Sequence, residues 1–128
     1  MEIKFADGDI AIKAVNERLY EIEKLLRELQ PKDSGTVLLR LQNCGKSCYG
    51  CPHAKWEVWK RVKRHDQNSL YLGYTIKYPL KAIRRSGKYE ANYPQVWQLI
   101  SEAQTLLKFK KDLIQLHGTL AKKIKNFS

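Results

Sequence analysis

Apolar residues recur along this chain with two different periods, and each period predicts a different element. From Asp9 to Gln30, Val15, Leu19, Ile22, Leu26 and Leu29 follow at alternating steps of four and three, with Leu25 widening the stripe. That spacing predicts an amphipathic helix over 9–30 whose wet faces carry Glu17, Glu21, Glu23, Lys24 and Arg27. Asp9 is placed to cap its start and Pro31 to stop it. After the turn Pro31-Lys32-Asp33-Ser34-Gly35 the period drops to two. Val37, Leu39 and Leu41 alternate with more polar neighbours, which predicts a strand over 36–42. From Lys55 to Arg64, Trp56, Val58 and Val62 fall on one face and Trp59, Arg61 and Lys63 on the other. Asp66-Gln67-Asn68-Ser69 reads as a turn, and Leu70, Leu72, Tyr74, Ile76 and Tyr78 then line one side of a third strand.

Pro79 ends that strand, and residues 80–92 read as a basic irregular connector with room for one helical turn. Tyr93-Pro94 opens the last helix, because proline is tolerated at a first turn. Val96, Leu99, Ile100, Ala103, Leu106, Leu107, Leu113, Ile114, Leu120 and Ile124 give an apolar stripe over 94–125, which Gly118 is placed to interrupt. The expected architecture is a single α+β domain over 1–128. Two long amphipathic helices pack antiparallel, and a small three-stranded antiparallel sheet over 36–78, carrying a zinc loop, caps one end of the pair. The helix seam can equally be completed in a homodimer.

The loop between the first two strands holds every cysteine of the chain. It reads Cys44-Gly45-Lys46-Ser47-Cys48-Tyr49-Gly50-Cys51-Pro52-His53, a Cys-x3-Cys-x2-Cys-x-His spacing. Three thiolates and an imidazole on so short a segment match a closed structural Zn²⁺ site. Gly45 and Gly50 are expected to supply unusual backbone angles, and Pro52 to fix the chain between Cys51 and His53. His53 is the nearest fourth ligand, and His65 can replace it if the hairpin folds back over the loop. A disulfide framework would call for an even cysteine count and a secretory signal. A redox pair through Cys48-x-x-Cys51, or an iron–sulfur role, lacks the surrounding βαβ pattern.

Charge adds a second theme. The chain carries 24 Lys and Arg against 13 Asp and Glu, a formal net charge of +11. Residues 1–34 hold 6 basic and 8 acidic side chains, whereas residues 35–91 hold 12 basic and 3 acidic. Such local concentration favours a polyanion through counterion release, DNA or RNA above all. The polar, charged N-terminus predicts an intracellular protein, and no apolar run approaches the ~20 residues that span a bilayer.

The stretch from Gly35 to Tyr78 resembles a family of small bacterial and archaeal proteins associated with mobile elements. Cys44-Gly45-Lys46, Cys48, Cys51-Pro52-His53, Trp56 and Trp59 carry the likeness. This chain departs from the pattern at Ala54-Lys55, where that family tends to have Gly-Pro, and in the cysteine spacing. The resemblance implies a metal-stabilised hairpin and a phage or mobile-element context, and it brings no activity with it.

No paired carboxylates, phosphate loop, nucleophile elbow or His-Glu-x-x-His motif occurs, so a binding protein is expected rather than an enzyme. Lys46, Trp59, Arg61, Lys63, Arg84 and Arg85 are the candidate nucleic-acid contacts, with Trp59 able to stack a base and the cations to meet phosphates. Trp56 shares its face with Val58 and Val62 and is expected in the core. The alternative partner is a host or mobile-element protein, the chain then serving as an inhibitor or adaptor of a nucleic-acid-processing enzyme.

Overall fold

A computed structural model describes residues 5–45, 48–63, 69–86 and 91–127, with side chains described for 8–45, 48–62, 70–84 and 91–119. The order is α1 (Phe5–Leu29), β1 (Val37–Gln42), β2 (His53–Lys63), β3 (Ser69–Ile76), α2 (Pro79–Ser86) and α3 (Tyr93–Phe127). The α+β architecture expected from the sequence is the one observed.

The i, i+3, i+4 rows of both long helices meet in the core. Ile12, Val15, Leu19, Ile22 and Leu26 of α1 are buried, as are Val96, Ile100 and Ala103 of α3. Two polar links fix the helices antiparallel. Arg18 forms a two-pronged pair with Glu102, at 2.5 and 2.8 Å, and the Asn92 amide donates to the Leu29 carbonyl at 2.9 Å. Asn92 thus spends its side chain on the last turn of α1 instead of capping α3, whose Val96 N–H bonds the Asn92 carbonyl. Neither glycine breaks its helix. Helix α1 begins at Phe5 and runs through Gly8, which makes Asp9 an interior residue rather than the cap. Helix α3 continues through Gly118. A glycine costs an exposed helix interior only about 1 kcal/mol relative to alanine, so two helices of this length absorb it.

The sheet has strand order β1-β2-β3, antiparallel throughout. Its register pairs Leu39 with Trp56, Trp56 with Ile76, and Trp59 with Gly73. The even residues of β2 therefore share a face with Val37, Leu39 and Ile76. Trp56 is buried there, as its periodicity predicts. The sheet lies along α1 and does not cap one end of the helix pair. Gln30 holds Val37 through both halves of its side-chain amide, donating to the carbonyl at 2.6 Å and accepting from the N–H at 3.1 Å. Glu23 accepts the Leu41 N–H at 2.7 Å. Side chains of α1 and of the residue that follows it thus satisfy outward backbone groups of β1, while β3 forms the other edge.

Residues 79–86 form a two-turn helix, α2, in place of the expected irregular connector with one helical turn. Pro79 supplies a preset first turn, and Ile83 is fully buried in the main cluster with Leu80 and Ala82 packed against it. No described helix is long and apolar enough to cross a membrane.

Candidate metal centre and cationic aromatic surfaces

Pairing of Gln42 with His53 closes the neck of the loop. Just beyond that neck the Cys44 N–H donates to the Cys51 sulfur at 3.4 Å, and the two sulfurs lie 3.3 Å apart. Gly45 takes φ +77, a left-handed angle that lets the chain turn back. The Cys51 N–H then meets the Cys48 carbonyl at 3.3 Å, which brings Cys48 beneath the neck. Its Sγ is 3.5 Å from His53 Nε2. Gly50 does not share the left-handed angle. A Cβ there would make ordinary contacts with His53 and Ile114, so its expected conformational role does not hold. The Cys51–Pro52 peptide is cis.

The ligand atoms of Cys44, Cys48, Cys51 and His53 all lie within 4.8 Å of one another. A tetrahedron of ~2.3 Å metal–sulfur bonds has edges of about 3.8 Å, so the cluster can close on a single ion with small adjustments. The donors are soft or borderline, which suits a thiophilic transition metal and not calcium or magnesium. Crowding disfavours free thiolates at this cluster. The Cys44 amide draws the Cys51 thiol pKa down, but desolvation and the neighbouring Cys44 and Cys48 thiols outweigh it and push the pKa up. Of the two candidate fourth ligands, His53 is in place; His65 lies outside the described residues.

Both long helices clamp the loop. Asn16 donates to the Cys51 carbonyl at 3.4 Å, and Lys110 donates to the Pro52 carbonyl at 2.8 Å. The Tyr49 ring stacks on His117, with centroids 4.1 Å apart, and its hydroxyl donates to Asp9 at 2.6 Å. Desolvation and this bond push the phenol up to about 12. A cleft of about 420 Å³ between loop and α3 is lined by His53, Leu107, Lys110 and Ile114, among others.

The candidate nucleic-acid contacts fall in two places. On the sheet, Trp59 and Arg61 share a face with Tyr71, and the Trp59 and Tyr71 rings lie 6.3 Å apart. Lys32, from the turn that precedes β1, sits 5.8 Å from one ring centroid and 6.0 Å from the other. Trp59 is half-buried and Arg61 exposed. The second place is the α2–α3 junction. Arg84 lies 5.3 Å over Trp97, which Tyr93 flanks at 5.9 Å, beside an open groove of about 600 Å³. Trp97 falls between two core positions of α3, Val96 and Leu99, and periodicity gave no reason to single it out. Lys46 lies outside the described residues, as do the side chains of Lys63 and Arg85.

Some of the positive charge is spent internally. Glu57 is buried on the Trp59 face, between Arg40 at 3.2 Å and Lys55 at 3.5 Å. Gly73 makes room for it, since a Cβ there would lie 2.7 Å from the Glu57 carboxylate. Arg40 and Lys55 are thereby committed to a carboxylate, whereas Lys32 and Arg84 appear in no ion pair among the described residues.

Comparison of the chain with protein-family models, with curated proteins and with solved structures gives no match. The functional reading therefore rests on these residues.

Proposed function

We propose that this chain is a small zinc-stapled nucleic-acid-binding protein with no catalytic activity of its own. The observation that carries the reading is the sheet face on which Lys32 covers both Trp59 and Tyr71 with Arg61 alongside. An indole and a phenol offer π faces for unstacked bases, and the flanking cations offer phosphate contacts in a chain of net charge +11. The Arg84–Trp97 groove repeats that chemistry on the helices. Zinc is the metal that a closed Cys3His shell suits best, and its task here is structural: it holds the β1–β2 loop against both helices. The phage or mobile-element context implied by the resemblance belongs to the same proposal, as does a cytoplasmic location.

Fluorescence anisotropy with labelled single strands and duplexes of DNA and RNA, across a salt series, tests the reading. Binding that weakens steeply with salt supports it. A protein partner is favoured instead by the apolar surface of β3 and its exit, where Leu72, Tyr74 and Tyr78 are 40%, 43% and 63% exposed. Absence of binding to any nucleic acid at low salt would put the inhibitor or adaptor reading first.

A further inference from the structure

Lys110 is 4% exposed, and its ammonium donates to a neutral acceptor, the Pro52 carbonyl. Among the described residues no carboxylate lies within ion-pair distance of it. Glu57, the other buried charged side chain among the described residues, has two cations beside it. A buried ammonium without a counter-charge is unfavourable anywhere, and more so in a chain that already carries +11. What faces it is the cysteine loop. Burial lowers the Lys110 pKa, and the Cys51 and Cys48 sulfurs oppose that by favouring the charged form.

We infer that Lys110 is the counter-ion of an anionic metal centre formed by Cys44, Cys48, Cys51 and His53. A divalent ion bound by three thiolates and a neutral imidazole is left with one net negative charge, which a single ammonium balances. The centre is thereby matched to a divalent thiophilic ion such as Zn²⁺, Co²⁺ or Cd²⁺. A monovalent ion such as Cu⁺ would leave a second negative charge with no partner. Lys110 is a positioning residue: its bond to Pro52 also fixes the backbone between Cys51 and His53. Adjacent Lys111 is exposed and cannot take over the task. The inference rests on the metal reading above.

The test is Zn²⁺ affinity, measured by competition with a chromogenic chelator, in a double-mutant cycle of Lys110→Met and Cys44→His. Lys110→Met should weaken Zn²⁺ binding by about 10- to 100-fold, the usual range for a partner just outside the ligand shell, and Lys110→Arg should retain most of the affinity. Cys44→His removes one thiolate charge, so in that background the Lys110→Met loss should shrink to less than about threefold. Melting of Lys110→Met alone gives a second readout that a purely structural role would not produce. Relative to the parent, the metal-free variant should melt higher and the Zn²⁺-bound variant lower. Equal losses in both backgrounds, unchanged affinity, or melting shifts of one sign would overturn the inference and leave the metal site standing. If the parent binds no Zn²⁺, both readings fall together.

Discussion

Gln30→Ala should be among the most damaging single polar changes in this protein, although the residue lies far from any candidate site. The Gln30 amide makes three bonds while 5% exposed: to the Leu26 carbonyl at 3.1 Å, and to both backbone groups of Val37. Truncation leaves the Val37 N–H and two carbonyls without these partners at a fully buried residue. An orphaned buried donor or acceptor costs roughly 1–3 kcal/mol, and some relaxation follows, so about 3 kcal/mol overall is expected. That is a large part of the ~5–15 kcal/mol by which a domain of this kind is stable. At about 3–5 °C per kcal/mol for a chain this long, the melting temperature should fall by roughly 10 °C. Urea unfolding followed by circular dichroism measures the loss directly. Gln30→Glu is the matched control, since a carboxylate keeps the acceptor for the Val37 N–H but faces the Val37 carbonyl without a donor, so it too should be destabilised. A loss below about 0.5 kcal/mol for the alanine variant would refute the edge-sealing role.

Three further outcomes are expected. Cys48→Ser should reduce bound zinc from one equivalent per chain to below about a tenth, by elemental analysis, while helical circular dichroism persists because the α1–α3 core is built independently of the loop. In the anisotropy assay, Trp59→Ala should cost about 1–3 kcal/mol with little change in salt slope, whereas Arg84→Gln should flatten the slope by about one unit per phosphate contact; equal behaviour of both variants and the parent would discard the stacking and phosphate roles. Tyr49 supplies a pH dependence. Its folded pKa is raised, so its stabilisation is complete below the ordinary value of 10.0 and is lost as pH rises through about 12. Tyrosinate absorbance should show Tyr49 ionising late, and Tyr49→Phe should remove that contribution.

The long helices, the strands and the metal loop were legible because each is written locally. Val15, Leu19, Ile22 and Leu26 repeat at helical spacing, Trp56 and Val58 at strand spacing, and four ligands fit in ten residues. Helix α2 was less legible because it is short and basic, and only the Leu80–Ile83 step hinted at a buried face. The polar residues that organise the interior were not legible. Gln30, Glu57 and Lys110 belong to types that normally stay wet, and their burial is set by partners distant in sequence: Val37, Arg40 and Pro52. Pairing of Lys32 with Trp59 and of Arg84 with Trp97 likewise depends on how elements meet, which periodicity does not encode. The placement of the sheet along α1 followed from Gln30 and Glu23, two residues that pattern alone assigns to a solvated surface.

Asn92 binding the end of α1 has a consequence for synthesis. The core is closed by a helix that leaves the ribosome after α1 and the sheet, so these must wait with Leu19, Ile22 and Leu39 uncovered until residues near Val96 and Ile100 emerge. The metal loop faces no such delay. Its ligands are all translated by His53, and a local hairpin suffices to gather them. Ion capture can therefore precede closure of the core, giving the nascent chain an ordered hairpin against which α3 docks when it arrives.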